Sequence, residues 1–185
     1  RPDSWKDLGG RQAEAAGVLS NWDEQKEIYY AKAGELKDKY ADVLEGVQFG
    51  HLGAYGDLSA GEFQREYGGS YGTHIAGDLG VEYYGQVKDA SAGGASEVSE
   101  YSSIEELPAS FAEADYITYT VQDDGTPSAE VQYVMDSPLW KNLPAVKAGH
   151  LIPIRYSEAA TYASALTTLD VLDEEFGAAF AEELK

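Results

Sequence analysis

The sequence contains no cysteine. This absence excludes disulfide bonds, a catalytic thiolate and any metal site that uses cysteine sulfur. It also means that the redox compartment of the protein cannot be inferred from its sequence. No apolar run approaches the roughly 20 residues that a membrane-spanning helix needs, so the sequence predicts no transmembrane segment.

Basic residues are scarce in this sequence. Its 13 Lys and Arg stand against 33 Asp and Glu, which gives a formal net charge of −20 at pH 7. A charge of this sign repels nucleic acids and anionic membranes, so nucleic-acid binding is excluded, and it favours cationic partners. The acidic residues are spread along the chain in singles and pairs, which is typical of a solvated surface.

The composition is nevertheless that of a folded protein, because 43% of the 185 residues are hydrophobic and a chain of this length can bury a sizeable core. The sequence begins with Arg1 and not with methionine. We therefore expect a processed or cut piece of a longer protein, with any export signal or lipid anchor lying upstream.

The first 45 residues have a helical pattern. Residues 4–16 predict a short helix that Ser4 caps and that ends near Gly17. Residues 22–45 carry apolar side chains at helical spacing and stop before Gly46, where a C-terminal glycine belongs. This second helix would be a rod of about 35 Å, which is long for a domain of this size.

From residue 46 onward, strand and helix patterns alternate. Strands are predicted in "VQFGHLG", "DYITYTV" and "HLIPIRY", with weaker extended pieces in "GEFQREYG" and "VEYYGQV". Helices are predicted in "SYGTHIAGDLG", "SIEELPASFAEA" and "SPLWKNLPAV", where Trp140 is interpreted as a core residue, and from about Ser157 onward. The alternation predicts an α/β lobe of three α/β/α layers, with a mostly parallel sheet covered on both faces.

Ligands of such sheets bind in the crevice beyond the carboxyl ends of the strands. The relevant loops follow residues 52, 87, 121 and 155. In or near these loops lie aromatic and hydrogen-bonding residues: His51, Tyr55, Tyr67, Tyr71, Tyr101, Arg155, Tyr156 and Glu158. This concentration favours a binding cleft over a reaction centre.

The motifs of the sequence do not establish a catalytic or metal-binding site. Its three histidines lack the spacing of a helical metal pair. The stretch "GGSYG" has the Gly-x-Ser-x-Gly spacing of a nucleophile elbow, but this spacing alone is a weak signal and Ser70 is better explained as a helix cap. An α/β hydrolase-like or flavodoxin-like enzyme domain, with chemistry in "GGSYG" or in the acidic loops, is the alternative from another functional class.

The stretch "SSIEEL" predicts a helix start with a capping box. Ser103 would cap the helix and Glu106 would reach back to the backbone of the cap. Glu105 then points elsewhere, as one more solvated acid near a helix N-terminus.

The whole order of elements resembles the C-terminal half of a class III ABC-transporter substrate-binding protein, of the ferric-siderophore, haem and cobalamin type. The resemblance is strongest in "SIEELPASFAEADYITYT", with its Ser-x-Glu-x-Leu pattern, and in "SPLWKNLPAVKAGHLIPI", with its Trp-x-x-Leu-x-Ala-Val-x-x-Gly pattern. It implies that residues 1–21 are the end of an N-terminal lobe, residues 22–45 the interlobe helix and residues 46–185 the C-terminal ligand-binding lobe.

The resemblance also implies a function. The protein would be a non-enzymatic, monomeric component of an ABC importer, which captures a ferric siderophore and delivers it to the membrane permease. It would need no cofactor and would work outside the cytoplasm, in the periplasm or lipid-anchored to the outer face of the cell membrane. Haem or cobalamin binding is the alternative within the family, and His51 near the metal would favour it.

Site residues follow from the same resemblance. The position that matches the permease-docking glutamate of the family is Glu105. The matching ligand-contact loops carry Tyr55, Tyr101, Arg155, Tyr156 and Glu158.

The chemistry of a ferric siderophore agrees with these residues, because a bulky, often anionic chelate suits aromatic walls and one guanidinium, and the protein need not touch the metal. Arg155 is the only Arg after residue 65, although an ion pair with Glu158 on the surface would also explain it. The sequence lacks the convergent His and carboxylate ligands of zinc or manganese binders.

Overall fold

A computed structural model describes residues 5–185 of the protein. The predicted cap Ser4 lies outside these residues. Both predicted N-terminal helices are present, as α1 (Trp5–Ala15) and α2 (Leu19–Leu44). No helix among the described residues is both long enough and apolar enough to cross a membrane. The division of the chain into an N-terminal tail, an interlobe helix and a C-terminal lobe stays a prediction.

Helix α2 begins three residues earlier than the sequence predicts and buries one stripe of side chains along its length: Tyr29, Ala33, Leu36, Tyr40 and Leu44. Helix α1 packs closely on its start, because a Cβ atom on Gly9 would collide with the indole ring of Trp22. The chain leaves α2 at Gly46, whose φ of 73° is one that glycine adopts without strain.

Within residues 5–185, six strands form one sheet: β1 (Gln48–Leu52), β2 (Glu62–Glu66), β3 (Glu82–Tyr83), β4 (Ser99–Ser103), β5 (Tyr116–Val121) and β6 (Leu151–Arg155). Their order is β4-β2-β1-β5-β6, and β3 pairs with β1 beside this path. The pairs β1–β3, β1–β5 and β5–β6 are parallel, whereas β2 runs antiparallel to β1 and to β4. Five strands therefore share one direction, which confirms the predicted mostly parallel sheet.

One edge of β1 is divided between two strands. Gln48 and Phe49 pair with β3, whereas His51 and Leu52 pair with β2. This division places β2, the reversed strand, beside the carboxyl end of β1, where the sequence predicts the cleft.

Helices α3 (His74–Asp78), α4 (Leu107–Ser110), α5 (Ala129–Asp136), α6 (Pro138–Lys141) and α7 (Pro144–Lys147) connect these strands, and α8 (Tyr162–Ala179) follows the last one. Helix α5 and the edge strand β4 were not predicted from the sequence. The last helix begins later than the predicted start near Ser157, because Thr161 and Ser164 form a capping box that begins α8 at Tyr162.

Two hydrophobic cores cover the two faces of the sheet. One contains side chains of α1, α2, α3 and α8, including Tyr29 and Phe176, and the other contains side chains of α4 to α7, including Phe111 and Trp140. This arrangement confirms the three-layer fold. Trp140 is buried against Phe111, with ring centroids 5.9 Å apart, so its interpretation as a core residue is correct.

Candidate functional site

A groove of about 720 Å³ opens at the end of the sheet where the sequence predicts the cleft. Its floor contains Gln64 and Glu66 of β2, and its walls include Tyr71 before α3 and Tyr101 of β4. The loop after β1 contributes Tyr55. The groove is therefore assembled from loops and strands that are far apart in the sequence.

Three predicted ligand residues, Tyr55, Tyr101 and Glu158, line this groove together. The Tyr55 hydroxyl donates a hydrogen bond of 3.0 Å to Oε2 of Glu158. This hydrogen bond and the charge of Glu158 raise the pKa of Tyr55 above its ordinary value. Burial, together with the charges of Glu66 and Glu158, raises the pKa of Tyr101, so both phenols are neutral at neutral pH.

Tyr156 lies beside the groove, in a second cavity of about 220 Å³ that shares Tyr55 and Glu158 with it. Its φ of 58° is left-handed, and among the described residues other than glycine Tyr156 alone has a positive φ. The Thr168 hydroxyl of α8 donates a hydrogen bond of 2.6 Å to the Tyr156 carbonyl, which holds this uncommon backbone in place.

Arg155 is not brought together with the other predicted residues. It lines neither cavity, and its Nη2 lies 3.4 Å from Oε2 of Glu174 on α8. Arg155 therefore pairs with Glu174, and not with Glu158 as the alternative interpretation of the sequence predicted. A ligand-binding role for Arg155 stays a prediction that this placement does not support.

His51 is fully buried beneath the groove, near the end of β1. Its Nδ1 lies 2.7 Å from the Thr118 hydroxyl and its Nε2 lies 3.2 Å from the Thr120 hydroxyl. Nε2 is also 3.3 Å from Oε2 of Glu66. Both ring nitrogens thus have protein partners, and the imidazole does not line the groove.

Glu66 lines the groove but was not predicted as a site residue from the sequence. Its side chain is 3% exposed yet lines the groove. Oε1 accepts a hydrogen bond of 3.4 Å from the backbone of Gly72, while Oε2 has no hydrogen bond among the described residues, only the contact with His51. Burial alone would raise the pKa of Glu66, but the interactions with His51, Ser70 and Gly72 outweigh it and lower the pKa.

Gly72 is required for this arrangement. A Cβ atom at this position would collide with the Glu66 carboxylate and lie 2.7 Å from Nε2 of His51. The last glycine of "GGSYG" therefore leaves room for the buried pair of Glu66 and His51.

On the opposite face of β2, the fully buried Arg65 ties the strand ends together. Its Nη1 donates hydrogen bonds to the carbonyls of His51, at 3.2 Å, and Glu66, at 2.6 Å, and its Nη2 donates to the carbonyl of Tyr84, at 3.3 Å. The guanidinium also lies 4.7 Å from the ring centroids of Tyr67 and Phe111. It therefore fixes β1, β2 and the end of β3 beneath the groove.

Four carboxylates line the groove: Glu66, Asp89, Glu100 and Glu158. In the described part of the chain, no groove-lining residue is Lys or Arg. Burial raises the pKa of Glu158, and the charge of Glu66 adds to this effect although the Tyr55 hydrogen bond opposes it. The groove is therefore aromatic and electronegative.

Glu105 lies away from the groove, exposed on the turn at residues 104–106 that follows β4. Its backbone N–H donates a hydrogen bond of 3.4 Å to the Ser103 hydroxyl, as the predicted cap requires. Glu106 does not complete the capping box, because its carboxylate bonds to the ammonium group of Lys88. Glu105 is thus left pointing outward, and its docking role stays a prediction.

The residues of an alternative enzyme site are not arranged for catalysis. The Ser70 hydroxyl lies 3.0 Å from the Thr73 hydroxyl, and His74 Nδ1 lies 3.0 Å from the Ser70 carbonyl oxygen, so these contacts pair no serine hydroxyl with a histidine base. Thr73, and not Ser70, is the N-cap of α3, which corrects the predicted cap. Among the described residues, no three His, Asp or Glu side chains form a group that could hold a metal ion.

No family model and no curated protein matches this chain. Solved structures do. A siderophore periplasmic binding protein from the fuscachelin gene cluster of Thermobifida fusca is 25% identical, with a TM-score of 0.75, and the match covers 96% of this chain and 61% of that one.

Two further structures are similar. FhuD from Vibrio cholerae, a siderophore-binding protein with Fe³⁺-Desferal bound, is 19% identical with a TM-score of 0.66 over 95% of this chain and 61% of that one. A periplasmic binding protein component of a ferrichrome ABC transporter from Bacillus subtilis is 21% identical with a TM-score of 0.64 over 95% of this chain and 64% of that one. The chain thus spans less than two thirds of the length of these proteins. The predicted resemblance in fold is confirmed.

Proposed function

We propose that this chain, which belongs by its fold to the class III substrate-binding proteins of ABC importers, binds a ferric chelate of the siderophore type in its groove and delivers it to a membrane permease. The observation that carries the proposal is the open groove of about 720 Å³ with three exposed tyrosine rings on its walls. Tyr55, Tyr71 and Tyr101 expose 52%, 46% and 54% of their surface.

Exposed tyrosines are suited to holding an organic chelate. Their rings offer apolar area and their hydroxyls offer hydrogen bonds, and few rotamers are lost on binding. The raised pKa values of Tyr55 and Tyr101 keep these phenols neutral, so they are poor ligands for a bare ferric ion. This favours iron that is already wrapped by its chelator.

The location and the partner belong to the same proposal. The Bacillus subtilis neighbour is a periplasmic component of an ABC transporter, which supports a place outside the cytoplasm and a permease as partner. Lipid anchoring would place the protein on the outer face of the cell membrane. Glu105 is the proposed docking residue, and the protein is proposed to act as a monomer.

Haem or cobalamin is the second ligand class. The contacts of His51 disfavour it, because both ring nitrogens are engaged within the protein and the side chain is 0% exposed. An enzyme is disfavoured because the similar structures are binding proteins.

We expect a ferric trihydroxamate to quench the intrinsic fluorescence of the complete gene product in a saturable manner, whereas haem and cobalamin do not compete with it. Tyr101→Ala removes an exposed ring from the groove wall and should weaken binding about tenfold, since one aromatic contact contributes about 0.5–1.5 kcal/mol beyond its buried area. The dissociation constants come from the quenching curves.

Tyr133→Ala is the matched control, because Tyr133 is an exposed tyrosine on α5 that does not line the groove. Equal losses in the two variants would argue against the groove as the binding site. Turnover of an ester or phosphate substrate without any chelate binding would refute the proposed function.

A further inference from the structure

The negative charge of the groove restricts the class of chelate that it can bind. Its four carboxylates belong to three separate segments, namely β2, the stretch from Asp89 to β4, and the loop after β6. Within the described chain, none of the four forms an ion pair with Lys or Arg. Their charges are therefore not neutralised by the protein's own strong cations.

Glu66 distinguishes this groove from an ordinary acidic surface. It is 3% exposed, it lines the groove, and its Oε2 accepts no hydrogen bond from the described residues. Its contact with His51 is 3.3 Å long. Oε2 is shielded from solvent and faces His51, so a ligand does not reach this atom directly. A buried negative charge is nevertheless costly for the protein alone, and a positive charge in the groove would lower this cost by electrostatic attraction.

Glu158 provides a second carboxylate at the mouth of the groove. Tyr55 donates a hydrogen bond to its Oε2 and so fixes its position, while burial and the charge of Glu66 raise its pKa. Two carboxylates that repel each other across a partly buried groove both gain when a cation lies between them. Glu158 and Glu66 are thus positioned to act on one bound charge.

The nearby Lys and Arg side chains do not neutralise the negative charge of the groove. Lys88, next to Asp89, directs its ammonium group to Glu106 and, at 3.4 Å, to the Ser102 hydroxyl. Arg155, which was predicted to contact an anionic chelate, pairs with Glu174 outside the groove. Arg65 lies on the other face of β2, against aromatic rings and carbonyls.

We infer that the groove selects chelates carrying a positive charge, such as a ferric hydroxamate with a pendant ammonium or guanidinium group, and rejects anionic ones. This inference rests on the proposed function and specifies its ligand. The chelate would place its iron centre against the tyrosine rings and its cationic group towards Glu66 and Glu158. The overall charge of −20 reinforces the selection by attracting cations and repelling anions at long range.

The experiment uses three ferric trihydroxamates with the same iron centre and a different terminal group. The first keeps a free amine, the second has this amine acetylated and is neutral, and the third has it succinylated and is anionic. Their dissociation constants for the complete gene product are measured by fluorescence quenching at pH 7.5 and low ionic strength. We expect the cationic chelate to bind about tenfold more tightly than the neutral one, and the anionic chelate to bind more weakly than both.

Glu158→Gln tests the assignment to a residue, because glutamine can still accept the Tyr55 hydrogen bond but carries no charge. We expect this variant to weaken binding of the cationic chelate about tenfold more than binding of the neutral chelate. Glu174→Gln is the control, since this glutamate pairs with Arg155 outside the groove. The preference for the cationic chelate should also decline at a salt concentration of about 0.5 M. At this concentration the Debye length is well below about 10 Å, so the salt screens the attraction between the chelate and the carboxylates.

Equal affinities for the three chelates, or tightest binding of the anionic one, would overturn the charge selection and leave the proposed function standing. The same holds if Glu158→Gln weakens the neutral chelate as much as the cationic one. If none of the three chelates binds, the proposed function fails and this inference fails with it.

Discussion

Replacing Arg65 with alanine is expected to lower the free energy of unfolding by about 3–5 kcal/mol. The substitution removes the hydrogen bonds to three carbonyl oxygens and leaves them buried without this donor. It also opens a cavity between Tyr67 and Phe111, whose rings now contact the guanidinium. The loss can be measured by urea unfolding, followed by tryptophan fluorescence.

Burial of the Arg65 guanidinium also costs stability. It disfavours the charged form of the side chain and so lowers the pKa of Arg65. Arg65→Met separates this cost from the gain, since methionine fills much of the space but donates no hydrogen bond. We expect Arg65→Met to lose about half as much stability as Arg65→Ala. If Arg65→Met is as stable as the wild type, the hydrogen bonds to the strand ends contribute nothing net and the structural role assigned to Arg65 is wrong.

Replacing Glu105 with alanine is expected to reduce iron-chelate uptake by about tenfold or more while leaving chelate affinity unchanged. Glu105 is exposed on the turn after β4 and does not line the groove, so its loss should not reach the ligand. Removal of one partner from a charge pair that is buried on docking costs about 2–5 kcal/mol, and about 1.4 kcal/mol already corresponds to a tenfold change.

Uptake is measured with radioactive iron chelate in cells that express only the variant, and affinity is measured on the purified protein. Glu35→Ala is the matched control, because it removes an exposed glutamate from α2. Normal uptake with Glu105→Ala would refute the docking role. Loss of chelate binding in this variant would show that Glu105 acts on the ligand and not on the permease.

The fold could be predicted because its main elements have strong local patterns. Helix α2 shows a continuous helical spacing, and the segments of β1, β5 and β6 contain large apolar or aromatic side chains between turn signals. Strand β4, with the sequence SEYSS, has no such pattern, because its strand conformation depends on pairing with β2 and not on its own side chains. The sequence of α5 predicts a helix only weakly. Its indications are the cap residue Ser128 and the buried Val131 and Val134, which are three residues apart.

The site was predicted in part for the same reason. Tyr55, Tyr101 and Glu158 were found because they lie in or near loops that meet at one end of the sheet. Glu66 was missed although the alternation of β2 places Gln64 and Glu66 on one face and Phe63 and Arg65 on the other. Which of these two faces lines a groove is decided by contacts with distant segments.

The direction of the Arg155 side chain could not be predicted from the sequence. The sequence placed it correctly at the end of β6, but the direction of its side chain depends on Glu174, which is 19 residues further along the chain on α8. Both faces of the sheet are covered by helices, so a strand position alone does not say which neighbour a long side chain reaches.

The groove between Tyr55 and Tyr101 is proposed to hold an iron chelate. An anomalous difference map, recorded at the iron absorption edge from crystals of the complete gene product with a ferric trihydroxamate, tests it most directly. We predict one iron peak in the groove, beyond coordination distance of every protein side chain, with the chelate against the two tyrosine rings. An iron peak elsewhere on the protein, or iron bound directly by His51 or by the groove carboxylates, would contradict the account.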